Sequence, residues 1–207
     1  SGSSGTSGTS GFSGNQGQLV GVTYFLAPDA ADVAGFEYLY RSPADVPEDF
    51  DTVGSSNNVE ALFDPYITVV GDPAVTLIKG GVWTFNTWAD VDSLSGTNVV
   101  IIHVLKRDIF DVETSLFTIT SNPITSTSPQ LLSKSVVIGD IFLDPTDRLE
   151  ANYYAKSSNP TSITFRLYDS GTEHYTHFTT PLVTQGFSGT SGFSGFSGTS
   201  GNSGTSG

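Results

Sequence analysis

Gly81-Val82-Trp83-Thr84-Phe85-Asn86-Thr87-Trp88-Ala89-Asp90-Val91 reads as a β-strand with one buried face. Trp83, Phe85, Thr87, Ala89 and Val91 fall at every second position, while Asn86 and Asp90 point the other way, which is the period of a half-buried strand. Trp83 is therefore assigned to a core, and Trp88, on the opposite parity, to the other face.

The same chemistry repeats outward from this stretch. Short runs rich in β-branched and aromatic residues are separated by Gly, Pro, Asp, Asn and Ser. Upstream the runs are Leu19–Leu26, an alternating Phe36–Arg41, Val59–Phe63, Tyr66–Val70 and Ala74–Lys79. Asp64-Pro65 reads as a break between two of them, and Asp45 to Asn58 reads as a long acidic loop. Downstream they are Asn98–Lys106, Glu113–Thr120, Leu131–Leu143, Arg148–Ala155, Ser162–Tyr168 and His174–Thr180. Asn98–Lys106 is nearly continuous in Val and Ile and is expected to be buried on both faces or at a subunit contact. No stretch carries a convincing helical period. Strands at this spacing predict an all-β sandwich or jelly roll.

Charge sets the limits of this domain. The chain has 207 residues, with 21 acidic and 8 basic side chains and a formal net charge of −13. Every charged residue lies between Asp29 and Glu173, whereas residues 1–18 and 184–207 contain only Gly, Ser, Thr, Phe, Asn and Gln. Between those ends lie roughly 165 residues, enough for one substantial core. An acidic surface with no basic stripe excludes nucleic acid and anionic membranes as partners. No apolar run approaches the ~20 residues that span a bilayer. The chain has no cysteine, which excludes disulfides, thiol chemistry and thiolate zinc sites. There is no initiator Met and no signal-peptide pattern, so a segment of a longer or processed protein is expected.

The uncharged ends keep a strict period. Glycine stands at Gly2, Gly5, Gly8, Gly11, Gly14 and Gly17, and again at Gly186, Gly189, Gly192, Gly195, Gly198, Gly201, Gly204 and Gly207. A flexible linker has no reason to keep a period, so glycine at every third position points to a three-fold structural cause. The collagen triple helix supplies one, because only Gly fits beside its axis. Neither arm contains Pro, so each triplet is weak and needs a trimerising domain, more triplets or lateral packing. A polyglycine-II-like bundle and a disordered low-complexity linker remain open for the same composition. In a triple helix Phe12, Phe187, Phe193 and Phe196 point outward, as association surfaces do.

Few residues suggest chemistry. His103, His174 and His177 are the only histidines, and the spacing of the last two puts them on opposite faces of a strand, against a shared metal. Asp45, Glu48 and Asp49-Phe50-Asp51 form an oxygen-rich loop that could hold calcium, but the glycine and ligand spacing of a recognised calcium loop are missing. A solvated acidic turn is the reading for it and for Asp90-Val91-Asp92. No nucleophile elbow, phosphate loop or paired-histidine motif is present. Paired carboxylates for glycoside cleavage stay open, since sequence gives no separation between them.

Leu143-Asp144-Pro145-Thr146-Asp147-Arg148-Leu149, followed by Glu150-Ala151-Asn152-Tyr153-Tyr154-Ala155, resembles the late strand-turn-strand of the trimeric complement-collagen and tumour-necrosis-factor-like heads. Gly21-Val22-Thr23-Tyr24-Phe25-Leu26, Gly81-Val82-Trp83-Thr84-Phe85 and Thr172-Glu173-His174-Tyr175-Thr176-His177 add to it. With the arms, the chain resembles collagen-repeat surface and tail-fibre proteins of bacteria and their phages. The resemblance implies an antiparallel jelly-roll sandwich over residues 19–183, assembled as a homotrimer and flanked by triple-helical arms at 1–18 and 184–207. In such proteins the head aligns the triple helix; here repeats continue after it, which favours a bead within a fibre. The expected function is a structural subunit of an extracellular, cell-surface or virion fibre, with no catalytic role and no cofactor. The alternative is a fibre-borne adhesin that recognises a glycan or cell surface.

Overall fold

A computed structural model of the chain describes residues 21–182. The arms expected at 1–18 and 184–207, with every glycine from Gly2 to Gly17 and from Gly186 to Gly207, lie outside the described residues. The described residues are all-β and contain no helix. The strands in chain order are β1 (Gly21–Ala30), β2 (Glu37–Tyr40), β3 (Asp49–Ser55), β4 (Glu60–Thr68), β5 (Leu77–Ile78), β6 (Gly81–Val91) and β7 (Asn98–Arg107). They continue with β8 (Glu113–Thr120), β9 (Gln130–Ile138), β10 (Ile141–Phe142), β11 (Arg148–Ser157), β12 (Ile163–Ser170) and β13 (His177–Leu182).

Eleven strands form one mixed sheet in the order β3-β12-β6-β13-β1-β2-β4-β11-β7-β8, with β9 on β6; β10 and β5 form a separate ribbon. Every pairing is antiparallel except β2 with β4. The branch point is the strand from which the reading began: β6 takes β9 along its length and shares its other edge between β13 and β12. Its odd positions, from Trp83 to Val91, are all buried, as the alternation requires.

One hydrophobic core joins strands from the whole path. Trp83 is fully buried against Phe85, Phe117 and Phe178, with ring centroids 5.0–6.4 Å apart. Tyr24, Leu26, Tyr66, Ile102, Tyr153 and Phe165 fill it from other strands. Asn98–Lys106 becomes the inner strand β7, held between β11 and β8 and buried over most of its length.

The structure departs from the sequence expectation at several places. β1 runs on through Ala27-Pro28-Asp29, where the sequence predicts a break, and the run Leu131–Leu143 divides into β9 and β10. The acidic stretch 45–58 contains strand β3, whose Asp51, Val53 and Ser55 alternate toward the interior while β12 supplies its backbone partners. Aspartate is poor at nucleating strands, so only the long-range pairing reveals this one. Asp64-Pro65 does not break the chain: β4 runs through it, and a register shift against β11 absorbs the irregularity. Residues 74–79 keep only the two-residue β5, and Ala74 adopts a left-handed φ of 56°, which interrupts an extended run.

Candidate functional site

Three carboxylates converge from three strands, and a fourth lies near them on a further strand. Glu37 shares its strand parity with the buried Leu39 of β2, and β2 lies parallel to β4 with Glu37 opposite Tyr66. Asp51 shares its parity with the inward Val53 of β3. Asp64 lies two residues before Tyr66 on β4. Asp169 comes from the end of β12.

Backbone irregularity aims three of these groups. Between Leu62 and Pro65, β4 spends one more residue than the facing β11 segment from Asn152 to Tyr154, a bulge that contains Asp64. Between Tyr168 and Ser170, β12 faces Phe50 and Asp49 of β3, so Asp169 is the extra, unpaired residue. The register of β1 on β2 also slips where Glu37 pairs, between Ala27 and Ala30. Bulges re-aim side chains and are over-represented beside functional sites.

The result is a tight group. One carboxylate oxygen from each of Glu37, Asp51 and Asp64 lies within 4.8 Å of the others. The Tyr66 hydroxyl, on a fully buried ring, donates to Asp51 Oδ2 at 2.7 Å. Glu37 Oε2 and Asp169 Oδ1 are buried and take no hydrogen bond among the described residues. Burial, reinforced by the charges of Asp51, Asp169 and Asp64, pushes the Glu37 carboxyl up to about 8. Burial also raises Asp51 to about 6, against the pull of the Tyr66 hydroxyl, and raises Asp169 to about 6. An all-oxygen set of this kind suits a hard cation or a held proton.

A second constellation lies at the same end of β3 and β12. His174 Nδ1 is 2.6 Å from Glu48 Oε2. Trp88 packs edge-to-face with the imidazole at a centroid distance of 4.5 Å, and Tyr168 lies 5.4 Å away. Tyr168 is held in turn by donating to Asp90 Oδ2 at 2.8 Å, and Arg166 donates to Asp90 Oδ1 at 2.6 Å. Gly171 makes the approach of the two segments possible: its φ is +133°, and a Cβ there would meet Glu48 Cα at 2.9 Å. His174 Nε2 takes no hydrogen bond among the described residues.

The residues singled out from sequence are thus redistributed. The acidic loop is not one site, since Glu48 goes to His174, Asp51 joins the carboxylate group, and Asp45 is exposed. Asp90 is no solvated turn but a fully buried partner of Arg166 and Tyr168. His177 bonds Asn86 Nδ2 through Nε2 at 3.0 Å, and His103 faces Glu60 at 3.6 Å, so the three histidines serve separate partners. Trp88 is half-buried on the face away from Trp83. Sequence reasoning missed Glu37, Asp64 and Asp169. For Glu37 a signal existed, a glutamate on the inward parity of an alternating strand; the bulges that aim Asp64 and Asp169 leave no local signature.

Neither a family profile nor a curated protein sequence matches the chain. Solved structures do share its fold. An aminopeptidase from a marine-sediment Thaumarchaeota archaeon superposes with a TM-score of 0.60 at 10% identity, over 81% of this chain and 37% of that one. A CocE/NonD family hydrolase from Staphylococcus aureus gives 0.59 at 8% identity, over 81% and 37%. An α-amino acid ester hydrolase gives 0.57 at 10% identity, over 79% and 36%. The chain therefore spans little more than a third of the length of these enzymes, and the likeness establishes a shared β fold.

These matches correct the resemblance to collagen-repeat fibre proteins with complement-collagen or tumour-necrosis-factor-like heads. They likewise correct the reading of the chain as a structural fibre subunit or fibre-borne adhesin, and the expectation of no catalytic role. The physical reason lies in what was compared. Strand-turn-strand pieces such as Leu143–Ala155 satisfy the local rules of any antiparallel sheet, whereas families differ in strand order, which those pieces do not encode.

Proposed function

We propose that this β domain belongs to a hydrolase and that the His174–Glu48 pair is its water-activating group. The observation that carries the reading is the 2.6 Å contact between His174 Nδ1 and Glu48 Oε2, with no hydrogen bond to Nε2 among the described residues. A carboxylate on Nδ1 fixes the tautomer in which Nε2 is the proton acceptor, the base-and-orienter arrangement of hydrolytic sites. Nε2 takes a proton from water as the water oxygen bonds to an acyl carbon. Glu48 stabilises the imidazolium, which returns the proton to the departing alcohol or amine as its bond to carbon breaks. Trp88 and Tyr168 flank the imidazole, and the half-buried Trp88 offers an apolar wall to the substrate. Amino-acid esters and amides are the first substrates to try, because an α-amino acid ester hydrolase and an aminopeptidase share the fold.

The full chain is assayed for release of p-nitrophenol and p-nitroaniline from aminoacyl derivatives. His174→Ala is expected to lower kcat/KM by at least ~100-fold, the lower bound for a general base, and Glu48→Gln by less. No turnover by the parent, or a His174→Ala variant as active as the parent, overturns the reading.

We also propose the finer architecture: a jelly-roll sandwich assembled as a homotrimer, with the glycine-period ends wound as triple helices. Glycine at every third position supports it, since three chains about one axis are what that period accommodates. Light scattering on the full chain should return three times the 21.8 kDa chain mass; a monomer would count against the trimer and leave the hydrolytic reading untouched.

A further inference from the structure

We propose that Glu37, Asp51 and Asp64, backed by Asp169, bind a divalent cation, with calcium as the ion their geometry fits. The inference is independent of the hydrolytic reading, which rests on other residues.

Four observations carry it. The first is distance. Calcium takes oxygen ligands at about 2.4 Å, so atoms on its opposite sides stand about 4.8 Å apart. The oxygens of Glu37, Asp51 and Asp64 lie within 4.8 Å of one another, and one ion between them reaches all three.

The second is an unmet demand. Asp169 is 2% exposed, yet its Oδ1 has no hydrogen-bond partner among the described residues, and neither has the buried Oε2 of Glu37. Asp169 lies near enough to the group for its charge to bear on Glu37, Asp51 and Tyr66 alike. Burying a carboxylate oxygen without a partner is costly, and a cation supplies the missing partner.

The third is the absence of any other compensation. No basic side chain of the described residues forms an ion pair with Glu37, Asp51, Asp64 or Asp169; the arginines and lysines that do pair are engaged with other carboxylates. Buried like charges persist where a counter-ion completes them.

The fourth is the backbone. Asp64 and Asp169 lie at bulges and Glu37 at a register slip, on strands that are otherwise regularly paired. Three irregularities that serve one point mark a built feature rather than three separate accidents. The donor set decides the chemistry: all ligands are carboxylate oxygens, with a phenol behind them and no sulfur or imidazole, which selects hard cations over zinc or copper. Ligands drawn from three strands suit the loose coordination of calcium better than the strict octahedron of magnesium.

The test uses the full chain, stripped with EDTA and returned to neutral buffer. Calcium chloride at about a hundredfold excess over its Kd should raise Tm by roughly 5–10 °C. Calorimetric titration should show one ion per chain. Asp64 is exposed, so Asp64→Asn keeps the fold while weakening the ion at least ~10-fold, and Glu37→Gln should remove most of the shift. His174→Ala should keep the calcium shift, so the two readings fail separately. Absence of any shift or heat with calcium overturns the inference. So does an unchanged shift in both Asp64→Asn and Glu37→Gln. A shift with magnesium but none with calcium overturns the choice of ion.

Discussion

Arg107, at the end of β7, offers the sharpest test of how this acidic domain holds its charges. Its Nε donates to Glu150 Oε1 on β11, Nη2 reaches Glu113 Oε1 at 2.5 Å, and the guanidinium sits 4.8 Å over the Phe36 ring. The two sides of this hub are unequal. The Glu150 side chain is fully buried and its other oxygen is unpartnered, whereas Glu113 and Asp111 stand in solvent. Burial raises the Glu150 carboxyl above its ordinary range, and the Arg107 hydrogen bond pulls it back. Arg107→Met therefore strands a buried carboxylate, at a cost of about 3–5 kcal/mol. Glu150→Gln leaves Arg107 with two solvent-side carboxylates and an amide oxygen that still accepts from Nε, and should cost about 1–2 kcal/mol. For a domain of this size the Arg107→Met loss is a fall in Tm of roughly 6–20 °C. The sign of its pH dependence follows. Without Arg107 the folded Glu150 carboxyl titrates above its unfolded value, so the folded state binds the extra proton. The deficit is then small near pH 4 and grows as pH rises through the folded value. Urea unfolding in EDTA at low and neutral pH measures both variants. An Arg107→Met cost below about 1 kcal/mol, or a Glu150→Gln cost as large, would refute the assigned asymmetry.

Two further outcomes follow from the site. In EDTA the folded carboxyls of Glu37, Asp51 and Asp169 titrate above their unfolded values, to about 8, 6 and 6. Their protonated forms thus favour the fold at low pH, and Tm should fall as pH rises from 5 to 8.5; a Tm that climbs over that range contradicts the burial of the group. Gly171→Ala puts a Cβ against Glu48 at a φ of +133°, and should cost about 1–3 kcal/mol while separating Glu48 from His174. A variant with parental Tm and an unchanged proton resonance on His174 would show that the glycine is dispensable.

What could be read from the chain is what neighbouring residues decide among themselves. The alternation of Trp83 to Val91 needs no partner to be seen, and every inward position it names is buried. The strand hidden at Asp49–Ser55 is the opposite case, because its pairing comes from β12, more than a hundred residues away. The candidate sites belong to this second kind. Glu48 meets His174 across a separation of 126 residues, and Glu37 meets Asp51 and Asp64 because β3, which pairs with neither β2 nor β4, packs against them in the fold. Local rules still say something about these positions, through their violation. A glutamate on the parity of Leu39 and an aspartate on the parity of Val53 break the rule that charge faces water, and both breaches resolve at one point. Stability alone would replace such residues with apolar ones, since isolated buried carboxylates cost more than they return. Where several local rules fail together at one place in a fold, that place is where function, rather than stability, has chosen the residues.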